Sequence, residues 1–111
     1  MNLPPEGQLL RIFVGESDKH RGTSLYEWIV VKAKEEGMAG ATAFRGLMGF
    51  GANSHIHTSK ILRLSLDLPV VVEIVDTPEK IEHFLTVIEP VVREGLVTLE
   101  KTEVRIYRGR T

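Results

Sequence analysis

The run Leu68-Pro69-Val70-Val71-Val72-Glu73-Ile74-Val75 constrains the fold of this chain more than any other stretch. Branching at Cβ stiffens a side chain and suits a pleated surface, so a nearly unbroken series of such residues reads as a central strand. Asp76 or Thr77 can cap a helix directly behind it, with Pro78 allowed in the first turn. Ile81, Phe84, Leu85 and Ile88 then fall at offsets of 3, 4 and 7, which is one helical face, and Pro90 ends or kinks it.

The remaining elements are fitted around this strand–helix pair. The first residues, with two prolines, read as a loose arm over 1–8. Leu9 to Val14 alternates as a strand, with Leu10, Ile12 and Val14 on one face and Leu9, Arg11 and Phe13 on the other. Glu16 to Gly22 is a polar loop. Ser24-Leu25-Tyr26-Glu27 has capping-box spacing, and Leu25, Trp28, Ile29 and Ala33 share the apolar face of a helix that Gly37 stops. Trp28 and Phe84 read as core residues. Ala39 to Arg45 is a second strand running into Gly46–Gly51. The stretch 52–67 is long for a connection in a compact domain, and connections of that length are usually functional or disordered. Gly95 to Leu99 begins a last extended run, which Val104 to Tyr107 continues after a polar interruption.

The order strand, helix, strand, strand, helix, strand predicts an α+β fold of ferredoxin-like βαββαβ type, an antiparallel sheet with both helices on one face. The other face, carrying Leu9, Phe13 and Val71, is left uncovered, and a second copy of the chain is the simple way to bury it. Glu73, a charge within an apolar strand, is expected to face solvent or an interface.

With 111 residues there is room for one domain, read here as 9–109. The formal net charge of -1 supplies no global field toward nucleic acid or anionic membranes, and basic and aromatic residues are not interleaved, so no nucleic-acid partner is expected. The absence of cysteine excludes disulfides, thiolate metal sites and a cysteine nucleophile. No apolar run reaches the ~20 residues of a membrane span, and the first residues lack the apolar core of a secretory signal, so the expected location is cytoplasmic.

Four groups of residues are candidates for chemistry. The glycines of Gly46–Gly51 can bring backbone N–H groups close to an anion, or can simply turn a sheet corner; no Walker or Rossmann spacing is present. His55 and His57 alternate in the long connection and could form a metal pair, though no third ligand is evident. Glu16, Asp18 and His20 lie after the first strand, at the opening of the first helix. They suit either a ligand loop or a solvated, self-paired turn, and Asp18 with His20 could act as an acid/base pair. Arg105, Arg108 and Arg110 could hold phosphate through their planar forks.

Three of these stretches, in order, carry a family resemblance. Gly15-Glu16-Ser17-Asp18-Lys19-His20-Arg21-Gly22, Arg45-Gly46-Leu47-Met48-Gly49-Phe50-Gly51 and Leu68–Val75 resemble the domain of unknown function 190 family, from about Leu9 to Tyr107. That family is similar in fold to the PII nitrogen-regulatory proteins. Gly49-Phe50-Gly51 before the long connection, the strand Val70–Val75, and Val104-Arg105-Ile106-Tyr107-Arg108-Gly109 all look like PII segments. The resemblance implies a homotrimer with an adenine nucleotide (AMP, ADP or ATP) between subunits. Arg45, Gly49, Phe50, Gly51, Arg105 and Arg108 would contact it, and the 52–67 loop would dock on a target protein such as a membrane transporter or channel. Two departures matter. Ala52-Asn53-Ser54-His55 stands where PII proteins read 2-oxoglutarate and magnesium, and Arg93-Glu94-Gly95-Leu96 reduces the glycine-rich phosphate loop. The resemblance therefore implies nucleotide binding and not 2-oxoglutarate sensing.

The first reading is therefore a regulatory protein with no catalytic residues and no required cofactor. The alternatives are a metal-responsive trimer built on His55 and His57 with His20, and an enzyme for a small phosphorylated compound using Asp18 and His20.

Overall fold

The computed structural model describes residues 3–50 and 67–110. Its elements in chain order are β1 (Glu6–Gly15), β2 (Lys19–His20), β3 (Thr23–Ser24), α1 (Leu25–Glu35), β4 (Thr42–Arg45), β5 (Pro69–Asp76), α2 (Pro78–Ile88) and β6 (Leu96–Glu103). β4, β5, β1 and β6 form one sheet in that order, and every neighbouring pair is antiparallel. This is the βαββαβ ferredoxin-like arrangement, with the β2–β3 hairpin inserted before α1.

The central strands alternate as the sequence requires. Leu10, Ile12 and Val14 of β1 meet Val70, Val72 and Ile74 of β5 on one face, where Leu25, Ile29 and Ala33 of α1 and Ile81, Phe84 and Ile88 of α2 close over them. All twelve of these residues are buried, so both helices lie on the same side of the sheet. Helix α2 is capped as expected: Thr77 Oγ1 accepts from Lys80 N at 3.2 Å, and Pro78 occupies the first turn, where its missing N–H costs nothing. Helix α1 ends with Gly37 N donating to Lys34 O and Met38 N to Ala33 O, the paired bonds of a Schellman motif.

Several expectations are corrected. Ser24 stands at the cap position of α1, but its side chain makes no capping bond. Its backbone belongs to the hairpin, opposite Lys19, and this fixes its orientation. The charged loop is not irregular throughout, because Arg21 and Gly22 (φ 52° and 80°) form a two-residue turn between β2 and β3. Trp28 is only half-buried, at the margin of the core, and its ring meets that of His20 edge-on at 4.8 Å. β1 starts at Glu6, not Leu9, because Glu6, Gly7 and Gln8 pair with Glu103, Thr102 and Lys101. The same pairing places the polar run Glu100–Glu103 inside β6 and ends the strand before Arg105. β4 is also shorter than its pattern suggests, since the Ala39 N–H is drawn to the buried Asp76 carboxylate at 2.8 Å instead of a strand partner.

Candidate functional site

The uncovered face of the sheet is organised in rows. Phe44, Val71, Phe13 and Leu96 lie opposite one another across all four strands and form an apolar belt. Phe44 and Leu96, at its two ends, are 50% and 55% exposed. Beside the belt runs a polar row of Thr42, Glu73, Arg11 and Thr98. Arg11 Nε donates to Glu73 Oε2 and Arg11 Nη1 to Glu100 Oε1, both at 2.9 Å. The hydrogen bond with Glu73, ahead of the nearby carboxylate charges, raises the Arg11 pKa above its ordinary value. Glu73 thus faces outward, as its position in the strand predicts.

Beyond the polar row, at the end of the sheet where β6 finishes, lies a groove of about 520 Å³. That volume is within the range of small-molecule sites. Its walls include Gly40 and Thr42 ahead of and within β4, Glu73 and Val75 of β5, and Arg105 and Tyr107 of the C-terminal segment. The segment is drawn across the sheet end by two anchors: Val104 N donates to Pro5 O at 2.7 Å, and Tyr107 Oη to Ala39 O at 2.6 Å. The groove is therefore assembled from four separate parts of the chain, Leu3 being the fourth, and mixes apolar walls with the carboxylates of Glu73 and Glu103, the threonines Thr42 and Thr102 and a guanidinium.

The opposite end of the sheet holds the other candidates. There Glu16 N donates to Leu68 O, Ser17 N to Asp67 Oδ1 and Gly15 N to Asp18 Oδ2. Arg45 forms an ion pair with Glu16. Gly46 N donates to Pro69 O at 2.7 Å, and a Cβ on Gly46 would come within 2.8 Å of Pro69 Cγ. This close backbone approach is the physical reason for glycine at that corner. Gly49 follows against the same proline, and Leu47, Met48 and Phe50 project outward.

The candidate residues thus form two groups. Arg45, Gly49, Phe50, Glu16, Asp18 and His20 gather at the loop end. Arg105 lines the groove, and the exposed Arg108 follows Tyr107. In register, Arg45 aligns through Val70 with Val14, whereas Glu103, just before Arg105, aligns with Glu6. Eight residues of strand separate these levels, about 27 Å at the usual rise. A single chain does not bring the two groups together. Asp18 and His20 are each engaged structurally, the first with Gly15 N and the second with the Trp28 ring. Gly51, His55 and His57 lie outside the described residues, and no cluster of three metal-ligating side chains occurs among the described ones. No helix there is long and apolar enough to cross a membrane.

Sequence reasoning missed Thr42, Val75 and Tyr107 as groove residues, and placed Glu73 only at a surface. The available signal was Glu73 itself, a lone charge in an apolar strand. Thr42 becomes its neighbour only through the β4–β5 pairing.

The model of the DUF190 family, described as uncharacterized ACR, matches residues 7–104. The chain belongs to the DUF190 family. A UPF0166 protein of Aquifex aeolicus is 44% identical over 97 residues, covering 87% of this chain and 91% of the relative. A UPF0166 protein of Methanocaldococcus jannaschii is 35% identical over 107 residues, covering 96% of each. Among solved structures, this DUF190 chain resembles CPII of Thiomonas intermedia K12 bound to ADP, AMP and acetate. The TM-score is 0.66 at 16% identity, over 96% of this chain and 94% of the other. The same protein bound to ADP and bicarbonate gives 0.64 at 17% identity, over 89% and 88% of the two chains. CPII is described as a nitrogen regulatory PII-like protein, so the fold of this DUF190 member is PII-like.

Proposed function

We propose that this DUF190 protein is a PII-like regulator: a homotrimer that binds an adenine nucleotide between subunits and acts on a target protein through its 52–67 segment. The observation that carries this reading is the groove built from β4, β5 and the C-terminal segment, with Arg105 in its wall. An adenine base fits the mixed apolar and polar lining. Arg105, with Arg108 beyond it, offers guanidinium forks to the phosphates. Arg45, Gly49, Phe50 and Gly51 would come from a neighbouring subunit, because within one chain Arg45, Gly49 and Phe50 stand at the far end of the sheet. The apolar belt Phe44–Val71–Phe13–Leu96 gives that neighbour a surface to cover. Binding of ADP and AMP by the structurally similar CPII supports the choice of ligand.

The 52–67 segment follows Gly49 and Phe50 in the chain. A nucleotide contacting that corner would favour one state of the segment over another, and in this way signal to a partner, with a membrane transporter or channel as the class to test first. A cytoplasmic location follows from this role.

The test is isothermal titration with AMP, ADP, ATP and cyclic AMP, after the oligomeric mass has been measured. Saturable binding near one ligand per subunit is expected. Arg105→Ala and Arg108→Ala should each weaken it by roughly tenfold or more, as loss of a charge-assisted phosphate contact does. A well-folded oligomer that binds none of the four would overturn the reading.

A further inference from the structure

Resting on the nucleotide reading above, we propose that Arg11 is a positioning residue for the groove: it fixes the Glu73 carboxylate so that the groove selects a base carrying an amino group over one carrying a carbonyl at the same position. Arg11 belongs to β1 and is not part of the groove wall. Glu73 is part of it, and directly opposite Glu73 across the β4–β5 ladder stands Thr42, which lines the same groove.

The geometry gives the carboxylate one orientation. Arg11 Nε holds Glu73 Oε2, and Arg11 Nη1 is itself held by Glu100 Oε1 on the edge strand, both at 2.9 Å. A guanidinium is planar, so two anchored nitrogens fix the whole group. Among the described residues Glu73 Oε1 has no hydrogen-bond partner. About a third of the Glu73 side chain remains accessible, so the free oxygen can be reached by a ligand. An ionised carboxylate accepts hydrogen bonds and cannot donate them. Adenine presents an exocyclic amino donor, whereas a 6-oxo purine presents an acceptor at that place. A carboxylate oxygen facing position 6 therefore bonds to the first and repels the second. Holding it in one rotamer before binding removes an ordering cost that a free glutamate would incur on binding. Thr42, whose hydroxyl both donates and accepts, does not discriminate and leaves the choice to Glu73.

The experiment is isothermal titration of the full chain with ADP and with inosine diphosphate, which differ in the 6-amino against the 6-oxo group and, at the adjacent N1, in a lone pair against an N–H. The wild-type protein should prefer ADP by roughly tenfold to a hundredfold, the usual reach of one charged hydrogen bond. Arg11→Met, with oligomeric mass and circular dichroism unchanged, should reduce that ratio to below about threefold. Glu73→Gln should also bring it below about threefold, because Arg11 would keep the amide oxygen and leave the NH2 group, a donor, toward the ligand. Arg11→Lys keeps the charge but loses the planar fork, so an intermediate ratio is expected; this variant also serves if Arg11→Met fails to fold. Two results would overturn the inference while leaving the nucleotide reading intact. One is equal affinity of the wild type for both nucleotides. The other is a wild-type ratio preserved in the Arg11 variants, which would make the Arg11–Glu73 pair an ordinary surface ion pair. If the wild type binds neither nucleotide, the nucleotide reading itself fails and this inference fails with it.

Discussion

The two faces of the sheet are made by the same strands, residue by alternating residue, and differ in almost everything else. On the helix side, Leu10, Ile12, Val14, Val70, Val72 and Ile74 are at most 4% exposed and belong to one apolar cluster with residues of α1 and α2. On the other side, Leu9, Phe13, Val71 and Val75 are half-buried, and Arg11 and Glu73 stand among them. The helix side is closed within one chain. The open side combines an apolar belt, an ion-paired row and a groove, which the proposed function assigns to recognition. One sheet thus carries the core on one surface and leaves the other open.

This contrast is exposed to mutation. The largest effect is expected from Phe84→Ala, which empties a fully buried site on the helix side. Chemical denaturation should show a loss of about 3–5 kcal/mol. Asp76→Ala should follow at about 2–3 kcal/mol, because it strands the N–H groups of Ala39 and Thr77 that the buried carboxylate accepts at 2.8 and 2.7 Å. Gly95→Ala should cost about 2 kcal/mol by the same measurement: the residue has φ 143°, and a Cβ would lie 2.3 Å from Phe13 O, where β6 joins the sheet edge. On the open side, Phe13→Ala should lower subunit stability by only about 1 kcal/mol. Its main effect should be a fall in sedimenting mass toward that of one chain. If Phe13→Ala proves as damaging to the subunit as Phe84→Ala, with no change in mass, the distinction between the two faces collapses. The smallest effect is expected from Glu35→Gln, which removes an i,i+3 partner 3.7 Å from Lys32 on the outer surface of α1 and should shift stability by no more than about 0.5 kcal/mol.

Much of this was legible in the residues, for particular reasons. The β-branched run at Val70–Val75 and the spacing of Ile81, Phe84 and Ile88 report periodicity, which is local and survives without a structure. The alternation of Leu9, Arg11 and Phe13 against Leu10, Ile12 and Val14 correctly separated the two faces. Cap chemistry was readable where nothing competed, as at Thr77, and misleading at Ser24, where a hairpin claimed the backbone first. The ends of β1 and β6 were misjudged because a strand ends where its partner ends. The polar residues Glu100 to Glu103 extend β6 only because Glu6 to Leu9 lie opposite.

The same distinction governs the site. Glycines at 46 and 49, the arginines at 105 and 108 and the lone Glu73 are visible as residue types, and a family pattern ordered them. No spacing shows that Tyr107 reaches Ala39, 68 positions away, or that Arg11 takes hold of Glu73, 62 positions away. The sequence by itself determined the central strands, the two helices and the face most of their side chains take, because helix and strand periods are set by the backbone alone. Only the tertiary structure decided the groove, the Arg11 bridge and the separation of the two arginine groups to opposite ends of the sheet, because these depend on strand order and register, which are fixed by contacts between distant parts of the chain.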